Sequence, residues 1–342
     1  MKVYVHCPPL TSMANSMGLY VQTLARTFKS QGFETVICSI ACKPAGFAHL
    51  VVPEPLRTRV SRLNALMLYA RLSLALLGEK DFVILNISHE FVLPAFRSRS
   101  LTIVHDTIQT EYPRSRGAQL LSTLWWRDVG KSAIRISVSH ATQRDLKKMG
   151  IESEVVYNFF DAEAFSAPGS TPPAPLADAL WCGTLAPHKN FALFVALCLR
   201  HPDKRFRAVL PPADAASLKG ALPANLAILS GLSQEAYAAE VRSAAIMIST
   251  SLKEGYGRPP MEALMAGTPV LLSDIDVYRE VYGTTARFFA PEIDALDTAF
   301  QMMWDDVRAG RVQCVPLERL KQHQGDPASV VMLTRTLLER SK

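Results

Sequence analysis

Short β-rich runs alternate with helical stretches from one end of this chain to the other, the pattern of parallel sheets covered by helices on both faces. In the first half the predicted strands are Val3–Cys7, Glu34–Ser39, Phe82–Asn86, Leu101–His105 and Ile134–Val138, with a helix over Gly18–Ser30 that stops near Gly32. The pattern restarts after residue 178 with Ala179–Gly183, Phe206–Leu210, Leu226–Leu229, Ala245–Thr250, Pro269–Ser273 and Ala286–Phe289. Between the halves lies a proline-stiffened stretch poor in apolar residues, the chain's clearest linker. The pattern therefore predicts two similar α/β units in tandem. Their expected bounds are 1–165 and 178–325, with the linker at 166–177 and a last helix in 326–342.

Length agrees with that division, since 342 residues suit two domains better than one core. The net charge of +6 is unevenly placed. Residues 1–165 hold 19 Lys and Arg against 13 Asp and Glu, and residues 166–342 hold 18 against 18. A basic first half suits phosphorylated substrates or an anionic lipid surface, or simply keeps the surface soluble. It carries no Lys/Arg block interleaved with aromatics, so no nucleic-acid partner is expected. The cysteines Cys7, Cys38, Cys42, Cys182, Cys198 and Cys314 form neither a C-x-x-C pair nor a zinc spacing, which predicts buried reduced thiols, a cytoplasmic chain and no metal. No cleavable hydrophobic leader is read at the start, and Ala65–Leu77 is too short and too broken by Arg71 to span a bilayer. It reads as a buried helix or, with Arg57, Arg59 and Arg62 beside it, an interfacial one.

Candidate chemistry is concentrated in the run EGYGRPPMEALMAGTPVLLSD from Glu254. Glu254 stands in a glycine-bearing loop and Glu262 eight positions on, just inside a helix that Pro259 and Pro260 start well. Met261–Ala266 are good helix formers, Gly267 is a left-handed stop, and Thr268–Ser273 reads as a buried strand. Two carboxylates and the free N–H groups of a helix start thus share one small volume, suited to holding a polyol and a phosphate together. The run resembles the E-x7-E signature of retaining glycosyltransferases of the GT-B fold, in particular glycosyltransferase family 4. Ser251, Leu252, Glu254, Gly255, Gly257, Pro259, Glu262, Ala263, Gly267, Pro269 and Val270 match its frame.

The resemblance implies two Rossmann-like domains whose parallel sheets face each other across a cleft, and transfer of a hexose from a nucleotide-diphosphate sugar with no metal and no cofactor. Gly183, Thr184, His188, Lys189 and Asn190 resemble the family's G-x-L-x-x-x-K-N element, in which a lysine grips the diphosphate. Relatives add an arginine beside it; here Thr184 and His188 occupy those places, so His188 or Arg258 is the candidate replacement. Further implied roles are Glu254 at the transferred sugar, the backbone N–H groups of Gly255, Tyr256 and Gly257 at the phosphates, and Glu262 at the ribose hydroxyls. Read without the family, Lys189 is a loop lysine and Glu262 a carboxylate in the first helical turn.

In the first half, His105 and Asp106 end a strand ahead of Tyr112-Pro113, resembling a histidine that borders the sugar. Asp106 could instead shape its own loop by accepting backbone N–H groups. Asn15, Ser16 and Gly18 stand where relatives carry a glycine pair on the acceptor side, and only the second glycine is present. Ser139, Asp145 and Asn158 resemble landmarks that set chain geometry. The expected activity is hexosyl transfer, GDP-mannose slightly favoured over UDP-sugars as donor, onto a glycan or lipid-linked acceptor of a cell-surface polysaccharide or lipopolysaccharide. The site would lie on the cytoplasmic side, in peripheral contact with an anionic membrane. The missing arginine keeps a non-catalytic GT-B scaffold open, and a sugar-nucleotide epimerase of similar fold is the third reading.

Overall fold

A computed structural model of the chain describes residues 1–8, 10, 16–57, 61–88, 94–112, 116–160, 165, 176–312 and 314–340. The chain divides into two compact units, Met1–Phe159 together with Gly325–Lys342, and Phe160–Gln324. The boundary falls six residues before the expected one, because Phe160 and Phe165 pack as aromatic anchors on the second unit. Phe160 lies 5.7 Å from the Tyr256 ring and Phe165 meets Tyr237 edge-on at 6.2 Å. Most of the expected linker, 166–175, lies outside the described residues; its last two positions, 176 and 177, already belong to a strand.

The first unit holds a sheet of β1 (Lys2–His6), β2 (Glu34–Ser39), β3 (Ala48–Val51), β4 (Phe82–Asn86), β5 (Ser100–Val104), β6 (Ile134–Ser137) and β7 (Glu154–Val155). Their order is β3-β2-β1-β4-β5-β6-β7, and every described pairing is parallel. β4 and β5 are buried at every position, which is why they read as continuous apolar runs. The helix Ser16–Ser30 buries Tyr20, Val21, Leu24, Ala25 and Phe28, an i, i+4, i+8 stripe, and ends before Gly32 at φ +82°. The last helix, Pro327–Arg340, belongs to this unit and packs beside that helix and β4. The chain enters it at Gly325, whose N–H donates to the Asn158 carbonyl, 3.0 Å away. A Cβ there would stand 1.8 Å from the Tyr157 carbonyl oxygen, so only glycine fits.

The second unit repeats the plan with β8 (Leu176–Cys182), β9 (Arg205–Leu210), β10 (Leu226–Ser230), β11 (Ala244–Ser249), β12 (Val270–Ser273) and β13 (Arg287–Phe289), parallel and ordered β10-β9-β8-β11-β12-β13. Its core gathers Trp181, Phe194, Phe206, Ile246, Leu271, Phe300 and Trp304 between sheet and helices. Both units thus have an α/β fold with a parallel sheet. β3 and β7 were not foreseen: both are edge strands, β3 largely exposed and β7 only two residues long, so neither leaves a buried run to detect.

A polar chain that periodicity does not reveal crosses the first sheet. His6 Nδ1 lies 3.1 Å from Asn86 Oδ1, Asn86 Nδ2 donates to Thr102 Oγ1 at 3.1 Å, and Thr102 Oγ1 meets Ser132 Oγ at 2.7 Å. All four side chains are buried, and burial lowers the His6 pKa to about 4, only partly countered by its bond to Asn86. Unfolded, His6 binds its proton near pH 6.5, so between pH 6.5 and 4 the unfolded state holds more protons than the folded one. Stability is therefore complete above pH 6.5 and falls by about 3 kcal/mol on acidification to pH 4 on account of this one residue. Urea unfolding of the first unit at a series of pH values should show this slope in the parent and lose it in His6→Asn. An equal slope in both proteins would refute the assignment.

Candidate active site

In the second sheet the chain runs outward from β8 to β9 and β10, then returns to the other side of β8 as β11. The loops leaving the carboxyl ends of β8 and β11 therefore stand side by side where strand order reverses, the usual place for a ligand in a parallel α/β sheet. These two loops, 183–190 and 250–257, and the helix Arg258–Met265 carry every second-half candidate residue. Sequence alone marks the motifs, and topology brings them together.

The first loop is built rigidly. Gly183 follows β8 and admits no side chain, since a Cβ would lie 2.8 Å from the Trp181 indole. Thr184 Oγ1 accepts from the Ala186 N–H at 3.4 Å, and a single 3-10 turn, Pro187–Lys189, carries His188 and Lys189. Asn190 closes that turn in the left-handed region at φ 50°, the single non-glycine with positive φ among the described residues. The strain is held by Thr250 on the other loop, whose Oγ1 lies 2.9 Å from the Lys189 carbonyl and 3.0 Å from that of Asn190 while accepting from Trp181 Nε1 at 3.0 Å. The Leu252 N–H donates to the His188 carbonyl at 2.7 Å and ties the loops a second time.

Across this junction Lys189 Nζ lies 2.5 Å from Glu254 Oε1. The same oxygen accepts from Ser251 Oγ at 2.8 Å, with the Tyr278 hydroxyl at the outer limit, 3.5 Å. The side chains are only 18% and 9% exposed, so the pair is largely withdrawn from water and held in one geometry. Burial above all, and then the Glu254 charge, push the Tyr278 hydroxyl well above its ordinary pKa, so it remains a protonated donor. Glu254 Oε2 takes no hydrogen bond among the described residues. The carboxylate is therefore fixed by one oxygen and presents the other.

Glu262 lies in the second turn of its helix, counted from Arg258, beyond the first-turn place a dipole partner would take. Its Oε2 accepts from the Tyr237 hydroxyl at 2.8 Å and its Oε1 lies 3.5 Å from Arg258 Nη2. Burial and then the Glu262 carboxylate raise the Tyr237 pKa well above its usual value, which keeps that hydroxyl a donor as well. The Arg258 guanidinium stacks over Phe160, 4.4 Å from the ring centroid, and lies beside Glu262 on its own helix. Tyr256 is buried, its hydroxyl donating to the His323 carbonyl at 2.5 Å, and its side chain thus anchors the loop. Gly255 and Gly257 flank it, Gly257 forming the helix N-cap at φ 87°.

Candidates of the first half lie in the first unit, at the carboxyl end of its own sheet. His105 is the residue after β5, half-buried, its ring edge-on to Tyr20 at 4.8 Å. Asp106 accepts the Ile108 N–H at 3.0 Å, the loop-shaping alternative raised by its sequence context. Ser16 and Gly18 belong to the first turn of the helix Ser16–Ser30, Gly18 buried there rather than in a loop, and Asn15 lies outside the described residues. Ser139 caps its helix by accepting the Thr142 N–H at 3.0 Å. Sequence reasoning missed Tyr237, Tyr278, Thr250 and Trp181, which hold the two glutamates and the lysine loop.

Together the two loops offer an ammonium group, two carboxylates and a helix start with no side-chain cap, a set suited to a polyol joined to a phosphate. Comparison with known proteins points the same way. Residues 17–164 match Glycosyltransferase Family 4 and residues 213–303 match Glycosyl transferases group 1. The chain is 25% identical over 287 residues to the O-antigen chain mannosyltransferase RfbU of Salmonella typhimurium, covering 76% of this chain and 78% of that one. It is 26% identical over 346 aligned positions to the phosphatidyl-myo-inositol mannosyltransferase of Mycolicibacterium smegmatis, covering 91% and 87%. Its fold resembles that of sucrose-phosphate synthase from Thermosynechococcus elongatus, with a TM-score of 0.83, 15% identity and 99% of each chain covered. Motif frame, twin parallel sheets and matches across both halves agree: the chain belongs to glycosyltransferase family 4, with the GT-B fold.

Proposed function

We propose that this glycosyltransferase moves mannose from GDP-mannose, with retention of anomeric configuration, onto a glycan or lipid-linked acceptor in cell-surface polysaccharide or lipopolysaccharide assembly. The observation that carries the reading is the Lys189–Glu254 contact at the β8/β11 reversal, with Glu262 on the adjoining helix. The mannosyltransferase relatives support the choice of sugar.

Breaking the bond between C1 and the diphosphate builds negative charge on the leaving oxygen and positive charge on the ring. Lys189, already placed and desolvated by its partner, exchanges Glu254 for the arriving diphosphate. The N–H groups of Gly255, Tyr256 and Gly257 add dipolar support at the helix start. Glu254, released at Oε1 and open at Oε2, receives the sugar hydroxyls, and Glu262 accepts from the ribose diol. Retention follows if the acceptor oxygen bonds C1 on the face the diphosphate leaves, with the leaving oxygen taking the acceptor's proton. This requires neither a protein nucleophile nor a metal, and the sugar nucleotide is a co-substrate rather than a cofactor.

Calorimetry and thermal shift across GDP-, UDP- and dTDP-sugars, followed by NMR of the product, test the proposal. GDP-mannose should bind most tightly and give an α-linked product. Failure of every nucleotide to bind points to a scaffold, an inverted product removes the same-face mechanism, and donor isomerisation without acceptor points to an epimerase.

A further inference from the structure

The helix Ser61–Ala75 lies over β2 and β3 of the first unit. Leu68 and Leu72, with Leu76 in the turn that follows, are buried there against Tyr4, Cys38, Val52, Phe82 and Ile84. A surface helix ordinarily turns polar residues outward. Here the outward face is also apolar: Leu63 is 44% exposed, Leu66 61%, Leu74 66%, and Leu77, in the turn that follows, 75%. With exposed Ala70 their spacing is three, four, four and three, which sets them in one row along the helix. Of the twelve large hydrophobic residues exposed among the described residues, five lie in 56–77, so the stripe is a feature of this segment and not of the surface at large.

Charge identifies the occupant. From residue 55 to residue 78 the chain carries Arg57, Arg59, Arg62 and Arg71 and no Asp or Glu. Arg71 is exposed beside the leucine row. A helix face apolar along its crest, with Arg71 exposed beside it in a sequence segment that carries four arginines and no acid, matches the boundary of an anionic bilayer, where headgroup phosphates meet acyl chains. No helix among the described residues is long and apolar enough to cross a membrane, so the contact is lateral.

We propose that the outward face of the helix Ser61–Ala75 docks on an anionic phospholipid surface, its leucines entering the headgroup boundary and Arg71 meeting a lipid phosphate. This deepens the lipid-linked acceptor reading by naming the element that would bring the enzyme to its acceptor, and it is tested apart from catalysis. The full chain is mixed with vesicles of phosphatidylcholine alone, or with one third phosphatidylglycerol, and sedimented. Expected is capture by the anionic vesicles only, weakened in high salt, where the screening length shrinks from about 10 Å to about 3 Å. Leu66→Ser/Leu74→Ser should lower vesicle affinity at least tenfold, as should Arg71→Glu, while the unfolding midpoint and the thermal shift given by donor nucleotide stay as in the parent. Both variants face solvent, so a folding failure would itself contradict the exposure argued here. Parent protein that ignores anionic vesicles, or variants that bind as the parent does, would overturn the proposal. So would light scattering showing a dimer that the leucine variant dissolves, since a second copy would then be the occupant. Loss of donor binding with vesicle capture intact would instead count against the catalytic reading alone.

Discussion

Glu254→Gln should lower kcat by two to three orders of magnitude while the protein stays folded. The exchange preserves shape but removes the charge that holds Lys189 Nζ at 2.5 Å. It also turns half of the acceptor into a donor, at an oxygen position that already faces the Ser251 and Tyr278 hydroxyls. An amide oriented to keep its oxygen toward those donors must aim its NH2 outward, where the proposal puts the sugar hydroxyls. Losing one preorganised electrostatic contact at a reacting centre costs about 10²–10³ in kcat. Lys189→Met should fall by a similar factor and in addition weaken binding of the free nucleoside diphosphate, because its ammonium group is assigned to the leaving phosphates. A purely structural pair would behave differently: breaking a buried pair costs about 3–5 kcal/mol of stability, so the melting temperature would drop and activity at low temperature would persist. Turnover comparable to the parent in a folded Glu254→Gln enzyme would eliminate the assigned site.

The fold was legible where structure leaves a local trace. β4 and β5 are buried along their whole length and so appear as unbroken apolar runs, and the tandem α/β plan follows from these and nine further strand-like segments. β3 and β7, at sheet edges and partly wet, have no such trace. The helix Ser61–Ala75 is apolar on both faces, so no period in its sequence says which side is inside; the exposure of Leu66 and Leu74 does. At the site, Glu254 and Glu262 were visible because loop and helix are contiguous and their glycines and prolines announce the backbone. What holds them was invisible. Tyr237 reaches Glu262 across 25 residues, Tyr278 reaches Glu254 across 24, and Trp181 reaches Thr250 across 69, each through packing that carries no spacing rule. Arg258 illustrates the same limit: sequence offers it as a charge for the diphosphate, and only the structure shows that it also stacks on Phe160 and lies beside Glu262.

Gly257→Ala should destabilise the second unit by about 2–5 kcal/mol and lower activity with it. Two independent costs add at this position. The residue sits at φ 87°, where a side chain costs roughly 1–2 kcal/mol. A Cβ would also stand 2.4 Å from Tyr278 Cε1, a contact that must be relieved by moving a ring buried on all sides, at about 1–3 kcal/mol. That ring is no passive wall: its hydroxyl meets Ser249 Oγ at 2.7 Å and faces Glu254, while the neighbouring Tyr282 hydroxyl donates to the Gly257 carbonyl. Displacing it therefore loosens the carboxylate that the reaction depends on, and stability and turnover should fall together. For a unit of this size the loss corresponds to a melting shift of roughly 4–20 °C. Pairing the change with Tyr278→Leu separates the two costs, because leucine vacates the space Cε1 occupies and leaves the backbone strain. The double variant should be less destabilised than the sum of the singles, by at least about 1 kcal/mol. Strict additivity would mean that ring and glycine do not touch, and a Gly257→Ala protein melting within a degree of the parent would mean that the loop before Glu262 does not take the left-handed turn on which the geometry of the site rests.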